Sequence, residues 1–143
     1  NLKLKLKMQP IWELLTNGDN PEIVDSILKR SSHTANLVDG KIFIFGGENQ
    51  PRIPIDNNFL VFDLKLRKWH MNNSINAENE KPKARVGHSS CTINDCIYIF
   101  GGRTGIDMGE SSLSDLYEFN TKTNSWNLLS DSQTPNNPDA RSY

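Results

Sequence analysis

The stretch CIYIFGG, residues 96–102, decides how this chain is read: four apolar residues, Ile97-Tyr98-Ile99-Phe100, run into Gly101-Gly102. The same pattern stands upstream as KIFIFGG, residues 41–47, where Ile42-Phe43-Ile44-Phe45 meets Gly46-Gly47. An unbroken apolar run suits a strand covered on both faces, because a strand with one wet face alternates. A glycine pair at its end marks a turn at positive φ or a close approach of another backbone.

Working outward, other landmarks recur at nearly the same interval, which is the signature of a repeat architecture. Trp12, Trp69 and Trp126 are evenly spaced along the chain. Arg30-Ser-Ser-His33 and Arg85-Val-Gly-His88 each precede a Gly-Gly pair at one fixed distance, Gly46 following His33 as Gly101 follows His88. A third arginine stands at Arg141-Ser-Tyr. Each full unit therefore reads as four short strands. They are predicted at 33–38, 41–45, 58–64 and 68–71 in one unit, and at 88–93, 96–100, 115–120 and 125–129 in the next. Asp39-Gly40 and Asn94-Asp95 are two-residue hairpin turns, since these residues tolerate positive φ. The loops at 48–57 and 103–114 join second to third strands.

Domain organisation follows from the same frame. Residues 30–72 and 85–130 are complete units. Residues 1–15 read as the third and fourth strands of a preceding unit, since Leu2-Lys-Leu-Lys-Leu-Lys-Met alternates with period two. The linker 16–29 carries a helix-start signature, Asn20-Pro21-Glu22, and predicts one or two helical turns. The linker 73–84 is polar and reads as mobile, and 131–143 is a linker leading into a further unit.

The pieces ARVGHSS, CIYIFGG and SDLYEFNTKTNSW, with the counterparts RSSHTA, KIFIFGG and NNFLVFDLKLRKW, resemble the kelch repeat. The resemblance takes in both complete units and most of the chain. It implies an all-β fold of four-stranded antiparallel blades, packed face to face as part of a β-propeller, with each tryptophan lying over the next blade's strands. Two complete blades and parts of two more cannot close a ring, because propellers need roughly four to eight. The expectation is a piece of a larger propeller, with the remaining blades as its first partners; a chain starting at Asn1 rather than Met agrees. A stable, monodisperse, isolated 143-residue monomer would contradict it.

Composition narrows the function classes. The chain of 143 residues has a net charge of −1 and 23% charged residues, so the bulk charge implies neither a nucleic-acid nor a membrane partner. No apolar run approaches the length of a transmembrane helix. Cys91 and Cys96 flank a hairpin turn at positions that do not face each other, so no disulfide is expected, and reduced thiols fit a cytoplasmic or nuclear setting.

Candidate chemistry is sparse. His33 and His88 are not accompanied by HxH, HExxH or a carboxylate cluster, and GGRTGIDMG at 101–109 lacks the lysine of a phosphate loop, so no metal, cofactor or catalytic residue is expected. Ser89 beside His88 lies on a strand, where adjacent side chains point to opposite faces. The resemblance implies that Arg30, Arg85 and Arg141 lie at one rim of a central channel, where arginines of some relatives grip acidic peptides. Guanidinium offers carboxylates a planar fork. The alternative is that these arginines pair with acids or carbonyls of the blades. Rim loops supply the other candidate contacts: Arg52, Ile53, Arg103, Asp107 and Met108. The expected function is a non-catalytic scaffold binding a protein or peptide through the rim loops, those joining second to third strands (48–57 and 103–114) and those joining one unit to the next (16–29 and 72–84). The alternative is a propeller domain of a larger enzyme or ubiquitin-ligase substrate adaptor.

Overall fold

The computed structural model describes residues 29–76, 80–105 and 112–143. The strands and helix expected in 1–28 lie outside these residues. The first unit forms β1 (Thr34–Val38), β2 (Lys41–Phe45), β5 (Phe59–Asp63) and β6 (Lys68–Asn72), and the second forms β7 (Ser89–Ile93), β8 (Cys96–Phe100), β9 (Leu116–Asn120) and β10 (Ser125–Ser130). A small hairpin, β3 (Glu48–Gln50) with β4 (Ile53–Pro54), stands between β2 and β5. The expected 48–57 loop is thus partly ordered.

Each unit is its own antiparallel sheet, in the orders β1-β2-β5-β6 and β7-β8-β9-β10. The two Gly-Gly strands therefore lie in different sheets. Asp39 and Gly40 take φ of 47° and 71°, so the first turn is the left-handed pair that matches strand twist. At the opposite end of the strands, the pairs Phe45↔Phe59 and Phe100↔Leu116 mark where the longer loops leave.

The core lies between the sheets. From the first come Val38, Phe43, Phe45, Phe59 and Val61, and from the second Ile97, Ile99, Phe119 and Trp126, all buried. Period-two alternation puts each set on one sheet face. Trp126 stacks on Phe59 with ring centroids 5.3 Å apart and planes within 7°, and meets Phe45 at 5.4 Å. The indole thus lies over the preceding blade, not the next one as expected. Spacing reveals which strand carries the tryptophan but not which neighbour its face meets. The apolar runs are also less symmetric than their composition suggests: Ile97 and Ile99 are fully buried against the first sheet, while Tyr98 and Phe100 on the far face are half-buried.

The linker between units is anchored where it is described. Asn76 receives the Trp126 amide at 2.5 Å and donates to the Trp126 carbonyl at 3.2 Å, while the Ile75 amide donates to the Asn124 carbonyl. An asparagine side chain mimics one more strand position on the outer edge of β10, and Pro82 is buried. The mobile linker expected at 73–84 is held at both described ends.

Candidate functional site

The recurring arginine and the Gly-Gly pair form one joint. Arg85 Nη1 donates to the Gly101 carbonyl at 2.9 Å, and Nη1 and Nη2 donate to the two Asp115 oxygens at 2.6 and 2.8 Å. Its Nε donates to the Lys83 carbonyl, and its guanidinium lies 5.8 Å from the Tyr117 ring centre. The side chain is 1% exposed. Arg30 repeats the scheme: Nη1 donates to the Gly46 carbonyl at 2.9 Å and Nη2 lies 3.9 Å from Asp56. Burial draws its pKa down, and Asp56 offsets part of that.

The main chain of the same residues ties one blade to the one before it. The Gly47 amide donates to the Arg85 carbonyl and the Gly102 amide to the Arg141 carbonyl, both at 2.9 Å. This explains the glycines. A Cβ at Gly46 would collide with the Arg85 carbonyl oxygen, and Gly46 already sits at φ 62°. The arginine therefore grips its own sheet with its side chain and the preceding glycines with its backbone.

Between the inner strands β1 and β7 runs a polar ladder. Thr34 Oγ1 pairs with His88 Nε2 at 2.8 Å, Asn36 Nδ2 donates to Ser90 Oγ at 2.7 Å, and Thr92 Oγ1 donates to Asn36 Oδ1 at 3.3 Å. The His88 Nε2 atom thus meets a neighbouring blade's side chain, while Nδ1 finds no partner among the described residues. Burial first, then the Arg85 charge and then His33, pull the His88 pKa from 6.5 to about 4. His33 and His70 are lowered too, with burial as the main cause. Below pH 6.5 the unfolded chain takes up protons that the folded His88 refuses. Stability is then complete above pH 6.5 and declines as the pH falls towards 4. The His88 share of that loss is on the order of 3 kcal/mol. Denaturant midpoints at neutral pH and near the folded pKa should differ accordingly, and His88→Gln should flatten the difference; equal pH dependence in both proteins would refute this.

The strand ends beyond Gly-Gly present the exposed candidates. Backbone bridges Ser31↔Glu48 and Val86↔Arg103 fasten each linker end to the following loop, so both segments emerge together. A cleft of about 430 Å³ opens between Lys29, Arg30 and Ser31 on one side and Glu48, Asn49 and Gln50 on the other. At the tip of the β3–β4 hairpin Arg52 is exposed at φ 65°, its amide donating to the Glu48 carboxylate, and Ile53 is 42% exposed. Arg103 is exposed, with its backbone paired to Val86. Arg141 is exposed, its Nε on the Asp139 carbonyl and its guanidinium 5.8 Å from the Phe100 ring centre. Asp107 and Met108 lie outside the described residues. The structure thus gathers Arg52, Ile53 and Arg103 at one end of the blades and turns Arg30 and Arg85 inward.

Three features escaped the sequence reading. Asp115 stands just before the third strand, where the first unit has Asn58, and Asp56 does its work from two positions earlier. Asn76 gives no pattern at all. On the far face of the second sheet, Tyr98 donates to Glu118 at 2.8 Å, Asn127 joins at 3.1 Å, and the phenol is pushed up to about 12, chiefly by its bond to Glu118. Burial first, and then the Glu118 charge, push the Cys96 thiol beside them up, and both cysteines are free thiols. Among the described residues no three His, Cys, Asp or Glu gather as metal ligands would.

Comparison with known proteins agrees with the geometry. The profile of the KLHDC2/KLHL20/DRC7 Kelch-repeats domain matches residues 32–143. An N-(sulfonatooxy)prop-2-enimidothioate sulfolyase of Thlaspi arvense is 31% identical over 80% of this chain and 31% of its own. Kelch domain-containing protein 3 of Bos taurus is 30% identical over 70% of this chain and 25% of its own, and Rho GTPase-activating protein gacHH of Dictyostelium discoideum is 31% identical over 76% and 7%. The chain spans less than a third of each of these relatives. Two four-stranded sheets joined by an arginine and glycine-pair corner, with a profile match over most of the sequence, show that the chain belongs to the kelch-repeat family.

Proposed function

We propose that these repeats form part of a non-catalytic protein-interaction scaffold, and that the partner, a protein or peptide, is met at the end of the blades carrying the 48–57 and 103–114 loops. The observation that carries this reading is the contrast within one corner. Arg30 and Arg85 lock the backbone, while Arg52, Ile53 and Arg103 project from it exposed. A rigid base under exposed side chains reduces the ordering cost of binding, and loops on such a scaffold are where recognition concentrates. Arg30 and Arg85 contribute indirectly, by fixing the loops.

A second reading, a propeller domain of an enzyme, is favoured by the sulfolyase relative, and a regulatory or adaptor setting by the GTPase-activating relative, whose kelch match is a small share of its length. The test is affinity capture with the whole polypeptide and with a variant carrying Arg52→Glu, Ile53→Asp and Arg103→Glu. Partners bound by the wild type should be captured about 10-fold less by the variant, which corresponds to about 1.4 kcal/mol, with circular dichroism unchanged. Undiminished capture would remove the loop end as the site.

A further inference from the structure

The two sheets share a backbone plan but not the chemistry of the face turned away from the preceding unit. In the first sheet, Asn36, Phe43, Val61 and His70 stand side by side across the four strands of that face. Its middle is apolar, with Phe43 and Val61 buried against the second sheet. Its inner strand is polar, with Asn36 bonded to Ser90 and Thr92. The second sheet sets Cys91, Tyr98, Glu118 and Asn127 in the same row. The pattern is inverted. A thiol replaces the inner amide, and a hydrogen-bonded acid replaces the middle pair. Tyr98 and Asn127 each donate to one Glu118 oxygen, at 2.8 and 3.1 Å. These bonds, Tyr98's first, hold the Glu118 carboxyl below its ordinary range, so it carries its charge. Glu118 has no ion-pair partner among the described residues, and Arg141 reaches this face over the Phe100 ring, at the loop end.

The second face is approached as the first one is. The Gly102 amide donates to the Arg141 carbonyl at 2.9 Å, as the Gly47 amide does to the Arg85 carbonyl. The Tyr143 amide donates to the Gly87 carbonyl at 3.3 Å, as the Gly87 amide does to the Ser32 carbonyl at 3.2 Å. At the first seam the chain runs straight on from Gly87 into β7, which lies against β1. The main chain at 141–143 repeats that entry. Phe100 and Leu116 stand where Phe45 and Phe59 stand in the first sheet, under Trp126. Both are half-buried, and with Cys91 and Tyr98 they line an apolar hollow of about 150 Å³. A copy of the second unit would not suit this face. Its counterparts of Ile97, Ile99 and Phe119 would press on Glu118, at the place where Val61 is fully buried. A carboxylate enclosed without a cation is costly.

We propose that the far face of the second sheet is the seat of a neighbouring blade unlike the second unit, one that brings a positively charged side chain to the Tyr98–Glu118–Asn127 cluster and apolar side chains to the hollow beside it. The two bonds from Tyr98 and Asn127 leave further lone pairs on the carboxylate to accept from that cation. Tyr98 and Asn127 hold the acid in place for it. The two faces of one sheet are thereby given different partners, an indole stack on one side and an ion pair on the other, so neighbouring blades cannot exchange places.

The test is urea denaturation of the whole polypeptide and of two variants. Tyr98→Phe with Glu118→Val installs the first sheet's own pair. Where a cation faces the cluster, this exchange orphans it, and the folded-to-unfolded ratio should fall at least about 10-fold. Where the cover is apolar, the same exchange removes a buried acid and the ratio should rise; where the face is open to water it should hardly change. Glu118→Gln keeps an acceptor for Tyr98 but no charge, and should lower the ratio as well. A rise or no change with the double variant, or a Gln variant as stable as the wild type, would overturn the proposal.

Discussion

Replacing Trp126 with alanine should cost about 3–5 kcal/mol, the range for removing a buried aromatic ring from a core. The indole is 3% exposed and touches Phe45 and Phe59 of the preceding sheet as well as Phe119 and Tyr117 of its own. The loss should therefore appear in both sheets. Hydrogen exchange should speed up in β2 and β5 together with β8 and β9, and the urea midpoint should fall. A loss confined to β9 and β10 would show that the inter-sheet stacking is not what the indole supports. Trp126→Phe should recover part of the stability, because a smaller ring still fills some of the space between Phe59 and Phe119.

A loss of similar size, about 3–5 kcal/mol, is expected for Arg85→Met, as for any buried ion pair stripped of one partner. That change leaves the Asp115 carboxylate and the Gly101 carbonyl facing a side chain that cannot donate. Most of this is the penalty of an orphaned charge rather than the worth of the pair. The double variant Arg85→Met, Asp115→Leu should consequently be more stable than the sum of the single variants predicts. Strict additivity, measured by chemical denaturation of all four proteins, would refute the pairing as the stabilising element. Arg85→Lys should not rescue, since an ammonium cannot span both oxygens.

How much of this was legible depends on what each residue reports. The two apolar runs closed by Gly-Gly were read to the residue, Lys41–Phe45 and Cys96–Phe100, because the glycines end the strand sharply. The first strands start one position later than expected, at Thr34 and Ser89, since His33 and His88 belong to the corner. The β3–β4 hairpin was hidden, because its strands are very short and include Pro54. The arginines announced themselves by interval, but their carboxylates did not: Arg85 reaches forward to Asp115, while Arg30 reaches Asp56 over a shorter stretch of chain. A partner whose distance along the chain drifts leaves no period to find. Recurrence likewise marked Arg30 and Arg85 as candidates without revealing that their side chains turn into the blade.

The placement of Trp126 against Phe59 has a consequence for how such chains can be cut and copied. The stretch that repeats in the sequence and the stretch that melts together are out of step: half of the oily filling between two blades is encoded in one copy and half in its neighbour. A cut that trims the chain at a copy boundary would strip a tryptophan from the blade left behind, so viable deletions and duplications should remove or add the shared filling as a whole. Inheritance counts one blade at a time, while stability counts the seams between them.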